Sequence, residues 1–581
     1  MKRVVVACAV AALLVPSAAA ATLPWLAPVD LTPTGQSASL GQVAMDAAGD
    51  TYVVWRRSNG TNTIVQARVR PAGGAWLPTI DLSAPGQDAS EPIVAVDPAG
   101  NATAVWTRAS VVQSSYRPAG GAWGSPVDLS GMGVTAFDPQ LAVNPAGTAV
   151  AVWGRTTGTG QALQTASRAS GGAWAPGVDL SAPGGIGSRY SDVTFDRFGN
   201  AVATWVTGAG TVQAAYRPLG GAWGDAKDLS QLLTGGAFDP VPAFDRSGNA
   251  TVVWSGINSG SSSLVQAATR PVASAEWLPP QDLSLPGEAG QGAVIAIAPN
   301  GTAIAMWNRI PAPAMSVIQY ATRPRGGLWG LPKDLTSPTG RSYGPSLGID
   351  DTSNAVATWT EVASPSDTHV TGARRNAAGV WGPAQDVSSP ATNNPFPQVG
   401  VDGAGNAVAV WGRSNGSNTI LQSSTRDGAG PVFTRLRVPV GARPGTRLTF
   451  GVASSDLWSA LAGAPRWRFG DGSSARGRTV RHRYHRNGAF RLVLTQSDSL
   501  GNTTTVRRTM HIGPPCRVPA VVGKTLAQAK RAIRAAHCLP GVVTHAASGR
   551  VAAGHVISQR PRVGRQGPNG TPVALVVSRG P

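Results

Sequence analysis

Histidine, glutamate and cysteine are scarce in this 581-residue chain, and each scarcity narrows the chemistry it supports. Up to residue 430 there is one histidine, His369, too few for a multi-histidine metal centre. The whole chain has four glutamates, Glu91, Glu276, Glu288 and Glu361, and neither an HExxH nor a GxSxG motif. Of three cysteines, Cys8 falls in the N-terminal segment, which leaves Cys516 and Cys538. No apolar run after Val15 approaches the roughly 20 residues that a bilayer-spanning helix requires. No catalytic, metal or cofactor ligand is assigned on this pattern, and no membrane span is expected once the N-terminal segment is removed.

That segment has Lys2 and Arg3, an apolar run from Val4 to Val15 and the small-residue stretch PSAAAAT. This is the layout of a secretory signal peptide over residues 1–21, cleaved near Ala20 or Ala21. Val5-Val6-Ala7-Cys8 loosely matches a lipidation box, but the apolar run before Cys8 is too short and the one after it too long. The mature chain is expected outside the cell, secreted or held non-covalently at a bacterial wall. In that oxidising compartment Cys516 and Cys538 make an even pair. A disulfide between them closes a loop of about 23 residues and contributes about 3 kcal/mol on the loop-entropy model.

The net charge of +19 divides unevenly. Residues 431–581 carry 24 Lys or Arg against Asp456, Asp471 and Asp498, while residues 1–430 carry 25 against 27 acids. A near-neutral body bears a basic tail, and such tails favour acidic polymers, including anionic wall glycopolymers. The bland alternative is the solvated surface of small domains in a chain with 44 Arg and 5 Lys. Specific nucleic-acid binding is not expected.

Two tryptophans per unit organise residues 22–430. One set, Trp55, Trp106, Trp153, Trp205, Trp254, Trp307, Trp359 and Trp411, ends segments such as DPAGNATAVW. The other, Trp25, Trp76, Trp123, Trp174, Trp223, Trp277, Trp329 and Trp381, opens segments such as AWGSPVDLS. From the second kind to the next of the first takes 30 or 31 residues in every unit, whereas the return step runs from 17 to 23. A period of 47 to 53 residues calls for a repeat architecture. Each unit reads as four short strands: A like PQLAVN, B like TAVAVWGR, C like LQTASR and D like AWAPGVDLS. Turn signals such as NPAG and RPAGG separate A from B and C from D.

Strand B is apolar on both faces, with Ala149, Ala151 and Trp153 on one and Val150 and Val152 on the other. A half-exposed sandwich strand would alternate apolar with polar. Strands buried on both faces, in four-stranded units, suit sheets stacked around an axis, a β-propeller. Strand D precedes the first A and is missing after the last C. An eight-bladed β-propeller closed by the N-terminal strand accounts for that offset without the capping repeats of a solenoid. On this reading both sets of tryptophans are core. The Asp five residues after each strand-D Trp (Asp30, Asp81, Asp128, Asp179, Asp228, Asp282, Asp334, Asp386) is a turn or strand-end hydrogen-bond acceptor. The A–B turn Asp is absent from two units, at Asn144 and Ala298, which fits a turn role and argues against eight calcium sites.

The elastic step lies between strands B and C. In a propeller the B–C and D–A loops share one face, so the variable loops gather on one rim, where scaffolds place recognition. Tyr190 and Tyr343 in D–A loops, with Phe137, Phe238 and Phe396 near strand-A entrances, are the candidate ligand-rim residues. DxxGNAxAVW faintly resembles the SxDxGxxW box of sialidases and other propeller hydrolases, without its leading Ser-x-Asp. A glycosidase needs two carboxylates across the scissile bond. Asp88, Glu91, Asp192 and Asp225 are candidates among the acids outside the repeating frame, and no two of them stand out as a couple.

From about Pro431 the repeat stops. Residues 434–513 hold Trp467, Phe469, Gly470, Asp471 and Gly472, then His482, Tyr484, Gly488, Phe490, Asp498 and Gly501. This pattern resembles the polycystic kidney disease (PKD) domain family, which implies an immunoglobulin-like β-sandwich over 431–513 acting as spacer or binding module. Residues 517–578, with VPAVVGKTLAQA and VISQRP, resemble the PASTA family. Leu526, Ala529, Ile533 and Ala536 share a helical stripe suited to packing on a sheet. The resemblance implies a small α+β module over 514–581 that binds peptidoglycan or its fragments. His537, His545 and His555 lack metal-ligand spacing.

These readings predict a mainly β, secreted, wall-associated binding protein. Its tail tethers to peptidoglycan or another anionic wall polymer, while the propeller rim recognises a protein or glycan. The competing expectation is a secreted propeller-type glycan hydrolase or lyase with the same tail.

Overall fold

The computed structural model describes residues 25–581 except 132, 186–189, 231–234, 258–262, 312–314, 365 and 391–395. The expected signal peptide lies outside the described residues. Among them the repeat forms eight four-stranded antiparallel sheets, numbered I to VIII here. Sheet III shows the design, with A at Ala136–Val143, B at Ala149–Thr157, C at Gly160–Arg168 and D at Val178–Asp179. Sheet VIII takes Gln398–Val401, Ala407–Ser414 and Thr419–Arg426 from one end of the repeat and Val29–Asp30 from the other. Val29 stands opposite Ser423 and Asp30 opposite Gln422. Strand A of each sheet lies against strand A of the next, and that of sheet VIII against that of sheet I. The A strands therefore surround the axis, and the D strands form the periphery.

The strand-B tryptophans are 0–1% exposed. Trp153 fills the space between sheets, packing with Val105 and Val112 of sheet II. Burying an indole strands its N–H unless an acceptor is supplied. Strand C supplies a glutamine. Trp153 Nε1 donates to Gln164 Oε1 at 3.1 Å, and Gln164 Nε2 donates to Asp179 Oδ1 at 3.3 Å. The same Trp–Gln–Asp chain crosses sheets I, II, IV and V. Sheet VII has Thr371 in place of the glutamine, and there Trp359 Nε1 donates to Glu361 Oε2 at 3.1 Å. The strand-D aspartates are thus hydrogen-bond acceptors. Next to them, Leu31, Leu82, Leu129, Leu229 and Leu283 enter the core, and hydroxyls such as Ser83 Oγ accept a strand-C amide, here Val65 N at 2.9 Å.

The second tryptophan set differs from the expectation that both sets are core. All eight are only half-buried. Strand D is two residues long and outermost, so each indole packs one side against a core cluster and leaves the rest to water. Three of them, Trp174, Trp223 and Trp329, also meet an arginine from strand C. Arg168 Cζ lies 5.3 Å from the Trp174 ring centre and Arg323 Cζ lies 5.1 Å from that of Trp329.

Beyond the ring, a three-stranded sheet (Val432–Arg437, Arg447–Ser455, Thr479–Arg483) faces a five-stranded one built on Leu461–Arg468, Gly488–Asp498 and Thr503–Ile512. Phe450, Trp467, Tyr484, Leu492 and Leu494 fill the space between them. The last unit places the helix Leu526–Ala535, started by a Thr525–Gln528 capping box, with Ala529 and Ile533 buried against the sheet of Leu539–Ala546, Val556–Arg560 and Pro572–Ser578. A disulfide joins Cys516 to Cys538. No described helix is long and apolar enough to cross a membrane.

The sandwich docks on the ring through Trp458, 8% exposed and packed in the core cluster shared by sheets VIII and I. Arg70 Cζ lies 4.3 Å from the Trp458 ring centre. A Cβ on Gly73, in the C–D turn of sheet I, would fall 2.5 Å from Leu457 O, so only glycine permits this approach. This contact lies on the A–B and C–D turn side, opposite the B–C and D–A loops.

Candidate functional site

One position recurs six residues before the first residue of each A–B turn: Leu40, Glu91, Asp138, Tyr190, Asp239, Gly292, Gly344 and Phe396. Seven of these eight have positive φ, between 29° and 65°. In six sheets the register between strands A and B shifts at this position. Such a bulge re-aims its side chain, and non-glycine residues held at positive φ concentrate at functional sites. Strand A is innermost and the position is near its start. The eight residues therefore encircle the mouth of the axis on the face of the B–C and D–A loops.

The rim aromatics inferred from the sequence occupy this ring or stand one residue before it. Phe396 and Tyr190 are 58% and 41% exposed. Tyr190 lies 6.4 Å from Phe238 of the next sheet, and Tyr343 lies 5.4 Å from Phe396, ring centre to ring centre. Phe137 differs: it is 7% exposed and pressed onto Gly154, where a Cβ would lie 2.3 Å from the ring. The mouth thus presents two aromatic pairs.

Acids stand between them. Glu91, Asp138 and Asp239 sit on the ring. Glu91 Oε2 accepts from Thr107 Oγ1 at 2.9 Å and from Asp138 N at 2.8 Å, which ties sheet II to sheet III. Burial raises the pKa of Asp239 and pushes Asp192, two residues beyond Tyr190, up to about 7. Asp88 is engaged elsewhere, accepting from Thr63 N at 2.7 Å and Thr63 Oγ1 at 3.1 Å, bonds that lower its pKa. Asp225 is exposed beside strand D. Of the four candidate acids, the structure brings Glu91 and Asp192 to the mouth, on different sheets, and leaves Asp88 and Asp225 apart. No hydropathy pattern marks the bulge, so its aromatic members and Glu91 stand out in the sequence only one by one, not as a ring.

Two further sites lie in the tail. Asp427, Asp456 and Asp498 each bring one carboxylate oxygen within 4.8 Å of the others at the junction of ring and sandwich. Asp427 is fully buried, Ser459 is the one side chain among the described residues that hydrogen-bonds its carboxylate, and burial pushes its pKa up to about 6. Such an all-oxygen set suits a hard divalent cation. Spacings of 29 and 42 residues hide it in the sequence, where no metal ligand was assigned. On the terminal module, a groove of about 810 Å³ crosses the open sheet face, lined by Thr544, Gln559, Arg560, Arg562 and Arg565 among others, with no acid in its walls.

Ring, sandwich and helix-on-sheet module define a multidomain β protein whose exposed sites are an aromatic–acidic mouth and an arginine-lined groove. Comparison with known families is specific for the tail: residues 429–512 match the PKD domain and residues 517–579 the PASTA domain, so the chain carries one of each. No curated protein matches. Among solved structures the chain is similar to the BP39L lectin of Burkholderia pseudomallei, with 15% identity, TM-score 0.45, and coverage of 61% of this chain and 98% of that one. It is also similar to a PL25 ulvan lyase, with 10% identity, TM-score 0.41, and coverage of 68% and 95%. An α-L-arabinofuranosidase of Fusarium graminearum gives 12% identity, TM-score 0.32, and coverage of 50% and 93%.

Proposed function

We propose that this is an exported, wall-associated binding protein whose terminal PASTA module holds peptidoglycan or another anionic wall polymer while the ring presents its mouth to a protein or glycan. The observation that carries the reading is the PASTA module with three guanidinium groups, Arg560, Arg562 and Arg565, gathered on one open groove. Arginine pairs with carboxylates and phosphates through two parallel hydrogen bonds, which suits the acidic groups of wall polymers. The docking of the sandwich on the turn side supports a division of labour, because the aromatic–acidic mouth stays open on the other face. Exposed rings such as Phe396 and Tyr190 offer stacking surfaces, and the acids between them offer acceptors for hydroxyl groups.

Sedimentation with purified peptidoglycan tests the tether. The full chain should pellet with it, and removal of residues 514–581 or the joint change Arg562→Glu and Arg565→Glu should leave it in the supernatant. Pelleting unchanged by both would overturn the reading. Release by a few hundred millimolar salt with equal retention on nucleic acid would reduce the tether to general polyanion attraction.

A second reading rests on Asp192. A carboxyl at the mouth that burial pushes up to about 7 is the acid partner that a glycan hydrolase requires. Release of reducing sugar from a wall polysaccharide, lost on Asp192→Asn, would favour catalysis.

A further inference from the structure

We infer that the cleft between sheets V and VI is a docking slot for a tryptophan-bearing turn of a partner polypeptide, because it repeats, unfilled, the slot in which this chain seats its own Trp458. Every strand C ends in an arginine (Arg70, Arg117, Arg168, Arg217, Arg270, Arg323, Arg375 and Arg426), and Arg70, Arg117, Arg168, Arg270 and Arg323 reach the preceding sheet. In several clefts an aromatic ring lies under it. Tyr52 lies 5.6 Å from Arg117, Tyr116 lies 4.3 Å from Arg168 and Tyr216 lies 3.8 Å from Arg270, measured from Cζ to ring centre. Between sheets VIII and I the residue matching Tyr216 is Thr425, which accepts from Arg70 Nη1 at 2.7 Å. That cleft is filled by the indole of Trp458, arriving from the sandwich.

Between sheets V and VI the matching residue is Thr269, again a threonine bound to the arginine. Arg323 bonds it and also donates to Thr251 Oγ1 at 2.7 Å. Among the described residues no ring from the preceding sheet or from the tail fills this cleft; Trp329 of the same sheet lies 5.1 Å from Arg323 Cζ, as Trp174 lies beside Arg168. It remains a cavity of about 620 Å³, within the range of roughly 300–1,000 Å³ typical of ligand pockets. Four wall positions correspond to the filled slot: Asp245 to Asp402, Gly301 to Gly49, Arg323 to Arg70 and Gly326 to Gly73, although here the stem of Arg325 lies over Gly301. Gly73 is covered by Leu457, whereas a Cβ on Gly326 would meet nothing within 4 Å. Leu278 and Leu328, 53% and 76% exposed, stand at the entrance as apolar jaws. A cation face, a glycine floor and apolar jaws select a planar aromatic side chain on a tight turn.

The test uses the full chain and a fluorescein-labelled peptide of its own residues 454–460, the turn that carries Trp458. Saturable anisotropy is expected. Thr269→Tyr, which closes the cleft as Tyr216 closes its own, should weaken binding at least about tenfold, a loss in keeping with a desolvated cation–π contact. Leu328→Asp, on the exposed jaw, should do the same without touching the core. The peptide with Trp458→Ala should not bind. Absence of saturable binding, or binding unchanged by both Thr269→Tyr and Leu328→Asp, would overturn the proposal.

Discussion

Gln422 Nε2 donates to Asp30 Oδ1 at 2.6 Å, a bond between residues 392 positions apart that closes the ring. It is the same bond that Gln113 makes with Asp128 over 15 positions in sheet II, at 2.8 Å. Local in the other sheets, the contact in sheet VIII spans nearly the whole repeat, so its formation costs loop-closure entropy that the interior copies escape.

Asp30→Ala should therefore lower the thermal midpoint. The loss of one charge-assisted hydrogen bond at a partly exposed site is worth about 1 kcal/mol. Deleting residues 25–32 should do far more, leaving strand C of sheet VIII as an unpaired edge. Differential scanning calorimetry distinguishes a shifted single transition from a broadened one.

The two tryptophan sets should separate by mutation. Trp153→Ala empties a completely buried site and should cost about 3–5 kcal/mol. Trp174→Ala, at a half-buried site under Arg168, should cost roughly 1–2 kcal/mol, mostly cation–π and partial burial. Urea unfolding of the two variants in parallel checks the ratio.

That contrast marks where the sequence was legible. Constant spacing shows that both tryptophans belong to a frame, and doubly apolar strand B shows that one set is core. It does not show that strand D is a two-residue outer strand with one wet face. The strand-D Asp was readable as an acceptor, but its donor was not, because a lone glutamine in strand C breaks no pattern. The mouth was legible through Tyr190, Tyr343, Phe238 and Phe396. Its acids were not recognisable as a ring, because a bulge is a backbone event without a hydropathy signature. Trp458 was invisible as a docking residue for a simpler reason. A tryptophan outside the repeat, one of two in the tail, has no visible partner until Arg70 and Gly73 are brought beneath it.

Asp427 supplies a pH test. Its folded pKa is pushed up to about 6, above the ordinary 3.8, chiefly by burial. Between those values the folded chain holds a proton that the unfolded chain releases, so this group stabilises progressively as pH falls from about 7 to 4. The gain, allowing for solvent screening, is about 1–2 kcal/mol. Asp427→Asn should remove that part of the pH dependence while raising stability at pH 7. Melting curves from pH 4 to 8, recorded with a chelator so that no cation neutralises Asp456 and Asp498, compare the two chains.

The junction itself can be opened without unfolding either side. Trp458 has its indole in the ring and its backbone in the sandwich, whereas Trp467 lies wholly within the sandwich core. Trp458→Ala should remove about 2–4 kcal/mol of docking and leave both folds intact, since the indole caps the ring's core from outside and belongs to no strand of the ring. Trp467→Ala should unfold the sandwich. Limited proteolysis separates the outcomes: for Trp458→Ala, cleavage should begin near residues 428–431, releasing a stable ring and a stable tail. For Trp467→Ala, cuts should spread through 434–512 while the ring persists. Small-angle scattering should show a larger radius of gyration for Trp458→Ala alone, because a freed tail swings away from the turn side. An unchanged radius and unchanged cutting would mean that Asp427 and its hydrogen-bonded neighbour Asn502, not the indole, hold the tail in place.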